Sequence, residues 1–205
     1  VTITAIFVEL LIIGLGVVCW LTLFVAFILG IQIDSSLLQV NPILIAPLTA
    51  ISYVLGIVMD RLIRDPFVWL IENRAKLKVM KEYHDRLEDM QEISIAAREN
   101  QYVSMELEKF IRSNSHELGD KIDYNRSRLR ICRAWVFHFI MITISFAVWN
   151  IKVKAFNNTE QYWIILTGFL LFVITLYTSI KLSIDHQRDI IESSQIILMT
   201  KNKNP

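Results

Sequence analysis

The feature that most constrains this chain is its opening run, Val1 to Gly30, whose single charge is Glu9. As a helix rising about 1.5 Å per residue it would be about 45 Å long, more than the ~30 Å hydrocarbon core of a bilayer. Such a span tilts or projects beyond the core. It does not fit a cleaved signal peptide, whose apolar region is shorter and follows basic residues. Three more apolar runs lie at roughly 41–59, 134–151 and 162–180. Each has about the length a span requires. Composition agrees. Hydrophobic residues make up 54% of the 205, charged residues 20%, and mean hydropathy is +0.44. A water-soluble domain this small has too much surface to hide so much apolar material. Six Gly, four Pro and two Cys exclude collagen and a disulfide scaffold. The expected fold is an all-α integral membrane protein. Four transmembrane helices form a 2+2 arrangement, with a long cytoplasmic helical, coiled-coil-like segment between spans two and three.

Charge placement orients the spans. The segment 60–133 holds 15 of the 21 Lys and Arg, crowded at both of its membrane edges. The positive-inside rule puts that segment, and with it both termini, in the cytoplasm. Lys152 and Lys154 in the outer loop weaken the contrast slightly. Trp149, Tyr162 and Trp163 fit an aromatic belt at the outer face. The expected divisions are 1–60 (spans one and two), 61–133 (stalk), 134–180 (spans three and four) and 181–205 (C-terminal helix and tail). Pro42 suits a first helical turn, whereas Pro47 interrupts the hydrogen-bond ladder inside span two.

The segment from Phe67 to Leu118 has no Gly or Pro and interleaves charges of both signs, so it reads as helix. Leu70, Leu77, Met80, His84 and Leu87 recur at seam spacing. So do Ile111, Ser115, Leu118, Ile122, Asn125 and Leu129. Of the second set, Ile111, Leu118, Ile122 and Leu129 are the expected oligomer seam of the stalk. A break between the two helices is expected near 92–102. Ile184, Ile191 and Leu198 repeat every seven residues, which carries the helix of span four onward.

Chemistry-bearing residues are few. An ionisable group inside a span is costly and marks a pore, an interior partner or the interface. Glu9 is therefore a possible pore residue, and His138, one turn into span three, a second intramembrane polar group. Asp60, Arg61, Arg64 and Asp65 end span two at i,i+4 spacing, as an ion-pair collar or a membrane–stalk coupling, with a local break at Pro66. Arg126, Arg128, Arg130 and Arg133 lead into span three as a topology anchor, or as a patch for lipid headgroups or an acidic partner. Gly14 and Gly16 allow close helix approach, without the small-xxx-small pattern. Asn157-Asn158-Thr159 is a glycosylation sequon by pattern alone. No nucleotide, metal or nucleophile motif is present, so no enzyme, cofactor or metal is expected. Nor is direct nucleic-acid binding, since net charge is only +1 and no recognition module is present.

Two functions fit these features. One is a membrane-anchored sensor or scaffold that recruits a soluble cytoplasmic effector through its stalk. The other is an oligomeric ion channel or pore that depolarises the membrane, motivated by Glu9. Either is expected in contact with membrane lipid and as a homo-oligomer, with a tetramer as the trial state, because polar groups in spans bury better between protomers. The whole-chain layout, with the basic stretch His116-Glu-Leu-Gly-Asp-Lys-Ile-Asp-Tyr-Asn-Arg-Ser-Arg-Leu-Arg-Ile131, resembles the four-span membrane subunit of Kiwa-type bacterial anti-phage defence systems. The resemblance is one of architecture. It implies a homo-oligomer of the bacterial inner membrane that responds to infection together with a cytoplasmic partner, and it carries no catalytic residue over.

Overall fold

A computed structural model describes residues 3–32, 42–82 and 103–203. The described residues are helical almost throughout. Helix α1 spans Ile3–Leu29 and α2 spans Pro42–Phe67, followed by a π-helical turn, Val68–Glu72, and α3, Asn73–Glu82. Helix α4 is Val103–Asn114, α5 is His116–Val153 and α6 is Asn158–Lys203. Four helices are long and apolar enough to cross a membrane, and they cover all four apolar runs of the sequence. Pro42 opens α2 as its position suggested. Pro66 does not break the chain. The helix passes it, and a π-helical turn begins two residues further on. The expected inter-helix break at 92–102, with His84 and Leu87, lies outside the described residues.

The chain clusters into two compact units. One comprises Phe67–Leu129 with Ile180–Pro205, the other Thr2–Pro66 with Arg130–Ser179. Both α5 and α6 supply residues to both units.

In the apolar unit, close approaches set the helix order. A Cβ on Gly14 would overlap the Ser52 carbonyl, and one on Gly56 would overlap the Leu10 carbonyl. The α1–α2 crossing is thus backbone on backbone, and its matched pairs run in opposite senses, so the two helices are antiparallel. Gly16 accommodates the imidazole of His138. Glu9 meets Arg130, Gly16 meets His138, and Ile31 meets Trp149, so α1 and α5 run parallel. Gly168 admits Thr143, and Asn150 bonds Gln161, so α5 and α6 are antiparallel. Around this frame the side chains are apolar and exposed, as in Ile43, Ile51, Phe169 and Ile174. A lipid-facing surface has this inside-out look, because lipid tails are as apolar as leucine.

One end of that unit is tied by polar caps. Helix α1 stops at Gly30, whose φ of 66° suits the left-handed C′ position. Gly30 N–H donates to the Phe27 carbonyl and Ile31 N–H to that of Ala26, the paired bonds of a Schellman motif. The Lys152 ammonium donates to the carbonyls of Phe27 and Ile28, and the Trp149 indole donates to that of Ile31. Trp149 is buried against Phe146 and Ala26. It is therefore not the belt residue the sequence suggested. Its N–H is spent on a helix end inside the protein. Tyr162 and Trp163, by contrast, are exposed as a belt requires. Asn157 and Glu160 form a reciprocal capping box at the start of α6, so the sequon asparagine is a helix cap here.

The second unit has its own core. Val79, Leu107, Ile111, Ile122, Ile190, Ile191 and Ile197 pack together, with Leu118 and Ile184 against them. Leu129 is also buried. The four expected oligomer-seam residues thus face the chain's own helices, and a second copy is not needed to cover them. The physical reason is that α6 continues past span four and lays its own apolar face against the seam. On α3 the buried positions are Ala75 and Val79, while Leu70 and Leu77 of the expected seam are exposed. The seam does not run as one helix either. Ser115 interrupts it, and its hydroxyl accepts the Leu118 N–H as the cap of α5.

Candidate functional site: a buried charge clasp

The basic stretch before span three is contiguous in sequence, but a helix divides it. Arg126, Arg130 and Arg133 sit at i, i+4 and i+7 on one face of α5. Arg128 points the other way, its guanidinium 5.6 Å from the exposed Tyr124 ring. The three facing arginines are committed to carboxylates of this chain. In the apolar unit, Arg130 Nη1 lies 3.2 Å from Glu9 Oε2, and its Nε lies 3.9 Å from Asp60 Oδ1. Arg133 Nη2 donates to Asp60 Oδ1 at 2.7 Å. Glu9 is 4% exposed and Arg133 8%. Two carboxylates and two guanidiniums, from the starts of α1 and span three and the end of span two, thus form a neutral clasp joining three helices.

Glu9 is an interior partner, drawn to Arg130. Asp60 turns to Arg133 and Arg130 across helices instead of to Arg64 along its own. Arg61, Arg64 and Asp65 are exposed, and of the four residues foreseen as a collar only Asp60 enters the clasp. Of the four arginines foreseen as a lipid or partner patch, Arg126 and Arg128 are exposed, and Arg126 also lies against Glu108. Sequence reasoning named the members of the clasp but not their pairing. The helical period was available to show which arginines share a face.

Deeper in the same unit, His138 is fully buried, edge-on to Trp135 at 5.6 Å between centroids. The backbone of Ile13 faces the ring, at a geometry short of a full hydrogen bond. Glu9, Ile13 and Gly16 lie on one face of α1, so the clasp and the histidine share a single polar line along the α1–α5 contact.

The other unit carries an ionic network that the sequence did not reveal. Arg126 lies 3.5 Å from Glu108, Arg112 pairs with Asp123, Lys121 lies 2.8 Å from Asp189, and Asn125 donates to Asp189 at 2.6 Å. His186 is buried with its Nε2 4.0 Å from Glu108. Burial pushes its imidazole down to about 4, Arg126 adds to the effect, and Asp189 and Asp123 oppose it. The seam asparagine, Asn125, thus serves a part-buried polar network within one chain. Among the described residues no cluster of His, Cys, Asp or Glu is arranged to hold a metal. Comparison with protein-family models, curated proteins and solved structures finds no match to this chain.

Proposed function

We propose that this chain is a membrane-anchored sensor or scaffold that recruits a soluble cytoplasmic effector, acts without catalysis of its own, and serves bacterial anti-phage defence from the inner membrane. In this reading both termini and the helical unit are cytoplasmic, and the protein acts as a homo-oligomer. The observation that carries it is the clasp. Glu9, Asp60, Arg130 and Arg133 hold three spans together at the point in the chain where α5 passes from one unit to the other. A bilayer disturbance that separates spans one, two and three opens the clasp. An unbroken α5 carries the change to the helices that meet the effector. The helical unit offers the exposed side chains Leu70, Leu77, Tyr124 and Arg128 for that contact. The channel reading loses its main motive, because the Glu9 carboxylate is paired within its own chain.

The test is affinity purification in gentle detergent from native membranes, with native mass determination. A stoichiometric soluble protein, lost when Leu70 and Leu77 are both replaced by Asp, supports the scaffold. A pure homo-oligomer that conducts ions in a planar bilayer overturns it.

A further inference from the structure

We propose that His186 is an acid-sensitive latch: a second proton on its imidazole releases α4 from α5 and α6 and bares the apolar face of α4. Every residue in the latch belongs to the helical unit. His186 lies on α6 at 5% exposure. Its Nε2 faces Glu108 Oε1 of α4 at 4.0 Å, whereas its Nδ1 is buried without a hydrogen-bond partner. A neutral imidazole carries one N–H and one bare nitrogen. The carboxylate draws the N–H to Nε2 and leaves Nδ1 bare. A proton added in acid must then go to Nδ1, where no acceptor meets it. A buried N–H without a partner is costly, and a charged one more so.

The charges around the ring oppose that proton. From α4, Glu108 Oε2 already lies 3.5 Å from Arg126 of α5 and 3.9 Å from Arg112 of its own helix. From α5, Asp123 is paired with Arg112. On α6 itself, Asp189 is held by Lys121 at 2.8 Å and Asn125 at 2.6 Å. From α3, Glu82 lies 3.2 Å from Arg188. Each of these carboxylates thus has a cation before the histidine becomes one. Burial, and after it Arg126, hold the imidazole down to about 4 from its ordinary 6.5, against the pull of Asp189 and Asp123. An opened unit returns the ring to water, so the open form takes the proton more readily. The closed form is therefore at full strength above pH 6.5 and weakens as pH falls toward 4. Of the three helices that meet at His186, α4 is the one able to leave. It has 12 residues, too few to be a stable helix alone, whereas α5 has 38 and α6 has 46. Its departure hydrates the ring and uncovers Leu107 and Ile111, which are 1% and 0% exposed in the closed form. The latch does not depend on effector recruitment.

Hydrogen–deuterium exchange of the full-length protein in phosphatidylcholine–phosphatidylglycerol nanodiscs, at pH 7.5 and 5.0, reads the latch. Rates are normalised to those of unstructured peptides, so that only opening remains. With ring values of about 4 closed and 6.5 open, the opening equilibrium of α4 is expected to rise about 30-fold between those pH values. His186→Gln keeps a polar side chain that takes no proton, and is expected to remove most of the rise. Unchanged protection of α4 in the unsubstituted protein overturns the latch, with no need for the variant to fold. An equal rise in His186→Gln assigns the effect to the carboxylates, and an equal loss of protection in α3, α4 and the distal part of α6 assigns it to acid unfolding of the whole unit. Either result overturns the latch. Nuclear magnetic resonance of the labelled His186 ring, again in the unsubstituted protein, is expected to show the proton gained over the pH range in which α4 opens. A ring that gains its proton while α4 stays protected also overturns it.

Discussion

Arg133 shows how burial changes the meaning of a charge. On a solvated helix an arginine of this kind contributes little, since an exposed pair is worth at most about 1 kcal/mol. At 8% exposure, against an aspartate at 2.7 Å, removing one partner strands the other in a poorly solvating interior. Asp60→Asn is therefore expected to cost about 3–5 kcal/mol. Asp60→Asn combined with Arg133→Met is expected to recover most of that loss. Thermal unfolding in mild detergent, read by resistance to protease, measures both variants. Equal stability of wild type and Asp60→Asn would show that the clasp holds nothing. The residue scale is also where sequence reading failed most instructively. Trp149 looked like a belt residue because it ends a span, and nothing in the local pattern announces that the Ile31 carbonyl waits for its N–H. Glu9 looked like a pore residue because its partner lies more than a hundred positions away.

At the scale of elements, the four spans were legible. A long apolar run in so short a chain has few other fates, and the onward course of α6 followed from the heptad spacing of Ile184, Ile191 and Leu198. The packing of those spans was not legible, because close approach depends on two helices at once. Gly14 invites contact, but only the crossing shows that Gly56 and Ser52 of α2 answer it. The two small residues of α2 are four apart, so the small-xxx-small spacing was present on the partner helix. Gly14→Val or Gly56→Val drives a side chain into a facing backbone carbonyl, which has no rotamer to yield. Either variant is expected to lose the α1–α2 pairing. The companion is Gly119→Ala, whose Cβ would meet nothing closer than the Arg112 Cγ at 3.4 Å. It is expected to be tolerated, or to gain up to about 1 kcal/mol from the stiffer unfolded chain. Disulfide formation between cysteines placed on α1 and α2 reports the pairing. A Gly14→Val protein that cross-links as well as wild type refutes the crossing.

For the whole molecule, parallel α1 and α5 with antiparallel neighbours leave a two-way choice of orientation, for which charge counting gives the expectation of a cytoplasmic helical unit. The structure sharpens that count, because Lys152 is spent on the end of α1 and is not a free loop charge. Single-cysteine variants in a background lacking Cys19 and Cys132 test the orientation. A cysteine at position 154 is expected to react with an impermeant maleimide on intact cells, and one at 128 only after permeabilisation. The reverse pattern would place the helical unit outside and end the effector proposal. The stalk proved harder to read than the spans. Its heptads are real, but a seam pattern says that a helix buries one face and not which helix covers it. Here the covering surface is the distal part of α6, contributed by the same polypeptide.

The parallel pairing of α1 with α5 has a consequence for biogenesis. Glu9 and Arg130 lie 121 residues apart, roughly 6–24 s of synthesis at usual elongation rates. During that interval the first two spans hold Glu9 and Asp60 without the arginines that neutralise them. A product arrested after span two would keep two acidic side chains near the lipid edge, the kind of lesion that membrane quality-control proteases act on. The clasp closes only once the third span has been delivered.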